Sequence, residues 1–212
     1  MSLQIMPVNR EKIKEIISRS SQFIVICGPS GSGKTMIARH LVDKYGFFEP
    51  PFLTTRKLRP GEKETGSACV SRDEFMEKHI EGKIFLSARN YGNAYGYDLD
   101  TIFENIVDGK KIVIEAPASN LIIDVSYFLP QSTIIGIVPL TAEEVENQLS
   151  QRALNNGKDQ RMRLLNCEIE KEHIAYCCGS IDIVPILPTD GSPKHTLRQV
   201  DRLMDKKGFE MI

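Results

Sequence analysis

The sequence predicts an α/β fold, a parallel sheet covered on both faces by helices and interrupted once by a small inserted lobe. Three observations predict it. Short apolar runs at 23–27 (FIVIC), 111–115 (KIVIE), 133–138 (TIIGIV) and 181–184 (IDIV) are separated by helix-patterned stretches, and strands that alternate with helices make a parallel sheet. The runs are apolar at successive positions rather than alternate ones, as in strands buried on both faces. Between Phe52 and about Tyr97 the character changes, with dense charged and small residues and only short strand signals. That places a core at 1–52 and 98–212 and a lobe at 53–97.

The elements follow in order. Asn9 is suited to cap a first helix over 10–19, whose Ile13, Ile16 and Ile17 form an apolar stripe. The first strand leads into a helix over 34–45, which Gly46 and the Pro50-Pro51 pair prevent from continuing. Within the lobe, 73–79 reads as a helix with Ser71 as its cap. Residues 100–107 are helical and end at Gly109; Pro139 closes the third strand. Thr141 followed by Glu144 is a capping box that starts a helix to about Arg152. The polar stretch 155–159 (NNGKD) interrupts it before a second helix over about 159–177. A closing helix spans 192–207, with Leu197, Val200 and Leu203 facing inward. No internal repeat or low-complexity segment is present.

Composition narrows the function. A chain of 212 residues suits one α/β domain with an insertion, and a net charge of −1 gives no reason to expect a nucleic-acid or membrane partner. The five cysteines, Cys27, Cys69, Cys167, Cys177 and Cys178, contain no CxxC pair, so reduced thiols are expected. The N-terminal stretch is mixed polar and charged, and no apolar run approaches the ~20 residues of a membrane span. A cytoplasmic protein, monomer or homodimer, is the expectation. His173 and Cys177 stand one helical turn apart, but without a matching second pair they do not make a metal site.

The chemistry is concentrated where the first strand turns into its helix. Gly28, Pro29, Ser30, Gly31, Ser32, Gly33, Lys34 and Thr35 spell GPSGSGKT, the phosphate-binding P-loop pattern. Such a turn aims backbone N–H groups at one point, and the helix dipole favours an anion there. Glycines let phosphate oxygens approach the main chain. Lys34 is expected to reach the β- and γ-phosphates of a nucleoside triphosphate, and Thr35 to offer a hydroxyl to Mg²⁺. Downstream, 54–62 (TTRKLRPGE) puts Arg56 and Arg59 in one loop, a pair of guanidinium groups suited to a second phosphate.

These strings in this order resemble the guanylate kinase family: the P-loop, TTRxxRxGE, the VSRDEF segment at 70–75, the GNxYG segment at 92–96 and an arginine-bearing lid. The resemblance covers nearly the whole chain. It implies a P-loop kinase three-layer fold in which 53–97 binds the acceptor and a helical lid lies at about 140–166. It also implies transfer of the γ-phosphoryl of ATP to a small phosphomonoester, nominally GMP, with Mg²⁺. By match, Arg56, Arg59 and Tyr95 would hold the acceptor phosphate. Arg152 and Arg163, with Arg161 as an addition, would neutralise charge on the group in transfer. Glu115, at the end of its strand, would hold Mg²⁺ through water.

The chain also departs from the family pattern. Phe52 stands where members carry a base-reading serine, Ser87 at the position of a base-binding glutamate, and Pro117 at that of a base-contacting aspartate. The stretch 66–69 (GSAC) lacks a tyrosine that shares the phosphate contact. The ribose 1,5-bisphosphate phosphokinases, similar in fold and P-loop, are therefore the alternative, and a non-catalytic guanylate kinase-like interaction module a further one.

Overall fold

The computed structural model describes residues 7–29, 32–57, 67–90, 92–116, 124–138, 157–178, 183–186 and 193–212. Strands β1 (Phe23–Cys27), β6 (Ile112–Ala116), β7 (Thr133–Ile137) and β8 (Ile183–Ile186) pair in parallel in the order β6-β1-β7-β8. Alternate residues of β1 face opposite sides. Phe23, Val25 and Cys27 join an apolar cluster with α4 (Leu99–Val107) and residues Ile16 and Ile174. Ile24 and Ile26 join another, built on α2 (Lys34–Tyr45) and α7 (Pro193–Lys207). All five β1 residues are buried, the result expected of an unbroken apolar run in a central strand.

A second sheet occupies the stretch of changed composition. Strands β2 (Phe52–Thr54), β3 (Ser67–Cys69), β4 (Ile84–Asn90) and β5 (Asn93–Asp98) lie in the order β3-β2-β5-β4, and β2 and β4 are antiparallel to β5. Helix α3 (Arg72–Ile80) buries Phe75 beside it. The Ser71 hydroxyl accepts from the N–H of Glu74 at 3.1 Å, as the sequence predicts. Gly96 is the contact point: a Cβ there would lie 3.5 Å from the Phe75 ring and 2.4 Å from Ile84 Cγ2.

Several boundaries move. Asn9 does not cap α1; the helix is Pro7–Ser18, and Asn9 lies inside it, donating to the Glu81 carbonyl at 2.8 Å. Proline at the first helical position carries a preset φ and lacks an N–H that would be unpaired there anyway, so it starts the helix two residues ahead of Asn9. Asp98 caps α4 through a 3.0 Å bond from the N–H of Thr101. Helix α6 (Gly157–Cys178) begins inside the polar stretch expected to interrupt, and β8 lies two residues later than its apolar run suggests. A single turn, α5 (Ser126–Phe128), carries no sequence signal. The capping box at Thr141 and Glu144 lies outside the described residues. Among those described, no helix is long and apolar enough to cross a membrane, and Cys27, Cys69, Cys167 and Cys177 are in no disulfide.

Helices α2 and α7 are joined by one carboxylate. Asp201 accepts from His40 Nε2 at 2.7 Å, Lys44 Nζ at 2.8 Å and the Tyr45 hydroxyl at 2.9 Å. Desolvation would raise its pKa, but the bonds from Lys44, His40 and Tyr45 outweigh it and hold the group at about 2. A depressed carboxyl contributes stability above its unfolded value, and that stability is lost as pH falls from about 4 through 2. Replacing Asp201 by alanine leaves three donors without their acceptor. A destabilisation of about 2 kcal/mol, some 4–8 °C in melting temperature, is expected by calorimetry near pH 7. An unchanged melting temperature would remove Asp201 as the tie between these helices.

Candidate active site

The parallel register brings β1, β6 and β7 to a common end, with Cys27 beside both Ala116 and Gly136. The chain leaves that edge at Gly28 and enters α2 at Lys34. Only glycine fits at Gly28: a Cβ would lie 2.9 Å from the Ile137 carbonyl oxygen and 2.8 Å from Ser32 Oγ. Gly33, at φ +95°, turns the backbone into the helix. Lys34 folds over the turn, its Nζ donating to the carbonyls of Gly28 at 2.8 Å and Pro29 at 2.9 Å. The Ser32 hydroxyl is buried with no hydrogen-bond partner among the described residues. An unpaired buried donor, a pivoting ammonium and the open N–H groups of a first helical turn together make a cradle for an oxyanion. Thr35 is exposed on that first turn.

The end of β6 carries Glu115, half-buried, on the same strand face as Val113, which packs toward α2. Its backbone is clamped by Tyr97, whose hydroxyl donates to the Glu115 carbonyl at 2.8 Å and accepts from the Glu115 N–H at 2.9 Å. This clamp ties the second sheet to the core. Burial above all, with the nearby Glu115 charge, drives the Tyr97 phenol far above its ordinary range, so it stays a neutral hydroxyl at any working pH. Glu49 lies close by. Phe48 bridges to β6, donating to the Lys111 carbonyl at 2.8 Å, and this brings Glu49 alongside. Desolvation first and the Glu115 charge second raise the Glu49 carboxyl, against the pull of Arg39. The sequence offers no signal for Glu49 or for the Tyr97 clamp.

In the second sheet, β2 and β5 present Phe52, Thr54, Tyr95 and Tyr97 on one face, since Phe52 pairs with Tyr97 and Thr54 with Tyr95. The rings of Phe52 and Tyr95 meet at 6.2 Å with a tilt of 45°. Arg56 follows directly; its N–H bonds Thr54 Oγ1 at 3.1 Å, and its Nη1 donates to the Lys57 carbonyl at 3.2 Å. Arg56 thus lies two residues beyond the end of β2, and Tyr95 on the β5 strand that pairs with it. Ser87 sits where β4 slips against β5: Phe85 pairs with Tyr97 and Ala88 with Tyr95, so Leu86 and Ser87 together oppose Gly96. Leu86 adopts φ +50° to make that bulge.

Ser30, Gly31, Arg59, Pro117 and Arg152 lie outside the described residues. Arg161 and Arg163 belong to the N-terminal half of α6, where the backbone alone is described. The His173–Cys177 pair belongs to no group of three or more metal-ligating side chains among the described residues.

Comparison with known proteins points to one family. The guanylate kinase family model matches residues 20–180. A guanylate kinase of Nostoc sp. is 30% identical over 153 residues, which cover 71% of this chain and 76% of the relative. One of Trichormus variabilis is 31% identical over 147 residues, covering 68% and 73%. The crystal structure of guanylate kinase from Anaplasma phagocytophilum shares the fold at a TM-score of 0.64 and 22% identity, covering 88% of this chain and 85% of its own. With the family model matched over residues 20–180 and relatives 30% and 31% identical over about two thirds or more of both chains, the chain belongs to the guanylate kinase family.

Proposed function

We propose that this protein transfers the γ-phosphoryl group of ATP to the phosphate of GMP, yielding ADP and GDP. The observation that carries the reading is the turn itself, a whole GPSGSGKT between a buried strand and α2 with Lys34 Nζ lying across it, in a chain of this family. As the triphosphate enters, Lys34 exchanges two carbonyl partners for phosphate oxygens, which are stronger acceptors because they are charged. The reaction then needs alignment of the two phosphates and neutralisation of spread negative charge, not a protein nucleophile.

Residues 53–97 serve as the acceptor lobe and about 140–166 as the lid in this reading. Arg56, with Arg59, grips the acceptor phosphate beside Tyr95, and Arg152 and Arg163, with Arg161, cover the group in transfer. Ser87 stands on the acceptor's base side. Phe52 and Tyr95 offer aromatic faces, so contact with the base is by stacking where hydrogen-bonding groups are missing. Thr35 and Glu115 are hard oxygen donors, the kind Mg²⁺ takes while keeping waters and phosphate oxygens, and they suit it. The ion, when bound, screens charge between the β- and γ-phosphates. Closure of lobe and lid excludes water from the transfer.

The ribose 1,5-bisphosphate reading is not favoured, because the matching family model and the relatives above are guanylate kinases. An intact P-loop likewise disfavours a purely non-catalytic module. A coupled assay of ADP release with GMP, AMP, CMP, UMP and ribose 1,5-bisphosphate as acceptors tests the proposal. Fastest turnover is expected with GMP, and no turnover with GMP would defeat it.

A further inference from the structure

Helix α3 and the end of the β4–β5 hairpin enclose a cavity of about 220 Å³ that the proposed reaction does not use. It lies on the back of the second sheet. Side chains alternate along a strand, so Tyr95 meets Phe52 on one face while Ala94 and Gly96 belong to the other, where Gly96 lies against the Phe75 ring. Arg89 pairs with Ala94 and shares that face. On α3, Arg72, Phe75 and Met76 stand three and four residues apart, so one side of the helix forms a wall of the cavity. The acidic residues of α3, Asp73, Glu74 and Glu77, are exposed and form no part of that wall. Among the described residues, the charged lining is two arginines and no carboxylate.

Both guanidinium groups rest on weak, neutral acceptors. Arg72 Nη2 donates to the Gly92 carbonyl at 3.3 Å, and Arg89 Nη2 lies 3.9 Å from Met76 Sδ. Neither joins an ion pair among the described residues, so most N–H donors of each stay open. Two such forks over one hollow suit a phosphate dianion, which takes parallel bonds from each. Beside them the lining is apolar: Phe75 is buried, and Met76 keeps 40% of its surface exposed. The volume sets the ligand small, since pockets for drug-sized molecules begin near ~300 Å³. We infer that this cavity is a second anion site, for a small phosphomonoester. Its phosphate lies between Arg72 and Arg89, and its one-ring apolar body rests on Phe75 and Met76. The site stands apart from Arg56 and Tyr95 and does not depend on which acceptor they serve.

Phenyl phosphate, which joins a phosphate to one ring, is the probe. It is titrated calorimetrically into the full chain carrying Arg56→Ala and saturated with ADP, so that the acceptor grip is removed and the P-loop is filled. Binding is expected to persist there and to weaken roughly tenfold with either Arg72→Gln or Arg89→Gln, as for loss of one charge-assisted fork. The two together should abolish it. Both side chains are exposed, so the unliganded melting temperature should hold, while the rise that phenyl phosphate gives the parent should vanish. Met76→Glu is a second route: it leaves both arginines in place but sets a carboxylate at the wall, and should also abolish binding. Inorganic phosphate should bind several-fold more weakly than phenyl phosphate, because it leaves the apolar wall uncovered. Affinity unchanged in the Arg72→Gln, Arg89→Gln double variant and in Met76→Glu would overturn the inference, as would no binding in the Arg56→Ala parent. Loss of GMP turnover in the wild type would leave these titrations as they are and defeat only the proposed reaction.

Discussion

Lys34→Ala is expected to lower kcat by on the order of 10³-fold while the chain keeps its fold. The side chain is half-buried and bonds the turn, not the core; α2 is held by Ile37, Ala38, Leu41 and Tyr45, which are buried. What disappears is a charge that follows the phosphates from ground state to transition state. Arginine should not restore it. A planar guanidinium is larger than the ammonium and meets oxygens as a fork, whereas the turn offers two carbonyls to a point donor. The coupled ADP-release assay, run beside a thermal melt, separates the two effects. Retained turnover in Lys34→Ala with an unchanged melt would remove the lysine from the reaction.

Arg56→Ala is expected to cost about 10²-fold in kcat/KM for the acceptor, near 2.7 kcal/mol, with the KM for ATP unaffected. The guanidinium rests on the Lys57 carbonyl at 3.2 Å, a weak neutral contact that a phosphate dianion would readily replace. Its backbone is fixed more firmly, through Thr54 Oγ1, so truncation should change binding without unravelling the edge of β2. Lysine should recover only part, because one point charge cannot span two oxygens in a fixed plane. Varying GMP at saturating ATP reads the effect. An unaltered kcat/KM would place the acceptor phosphate away from Arg56.

Both substitutions fall on residues that were legible in the sequence, for the same reason. The P-loop and the TTRKLR string are continuous segments whose chemistry lies in the spacing of neighbours along the chain. Strand cores are equally plain: Ile24, Val25 and Ile26 are fully buried in β1, where five successive apolar residues leave no solvent face. Element ends were less so. Asn9 carries the right side chain for a cap, yet Pro7 starts α1 earlier and Asn9 turns to Glu81, 72 residues away. The bulge at Leu86 and Ser87 arises from the pairing of β4 with β5, which no single strand records.

By itself, then, the sequence determined the parallel core, the phosphate-gripping turn and the arginine that follows β2, because each depends on short-range pattern and local backbone preference. Only the tertiary structure decided that Tyr97 clamps Glu115 and that Asp201 joins His40 across 161 residues. Each of these pairs a polar group with a partner brought near by the packing of layers. Burial changes their electrostatics, and burial belongs to the assembled fold.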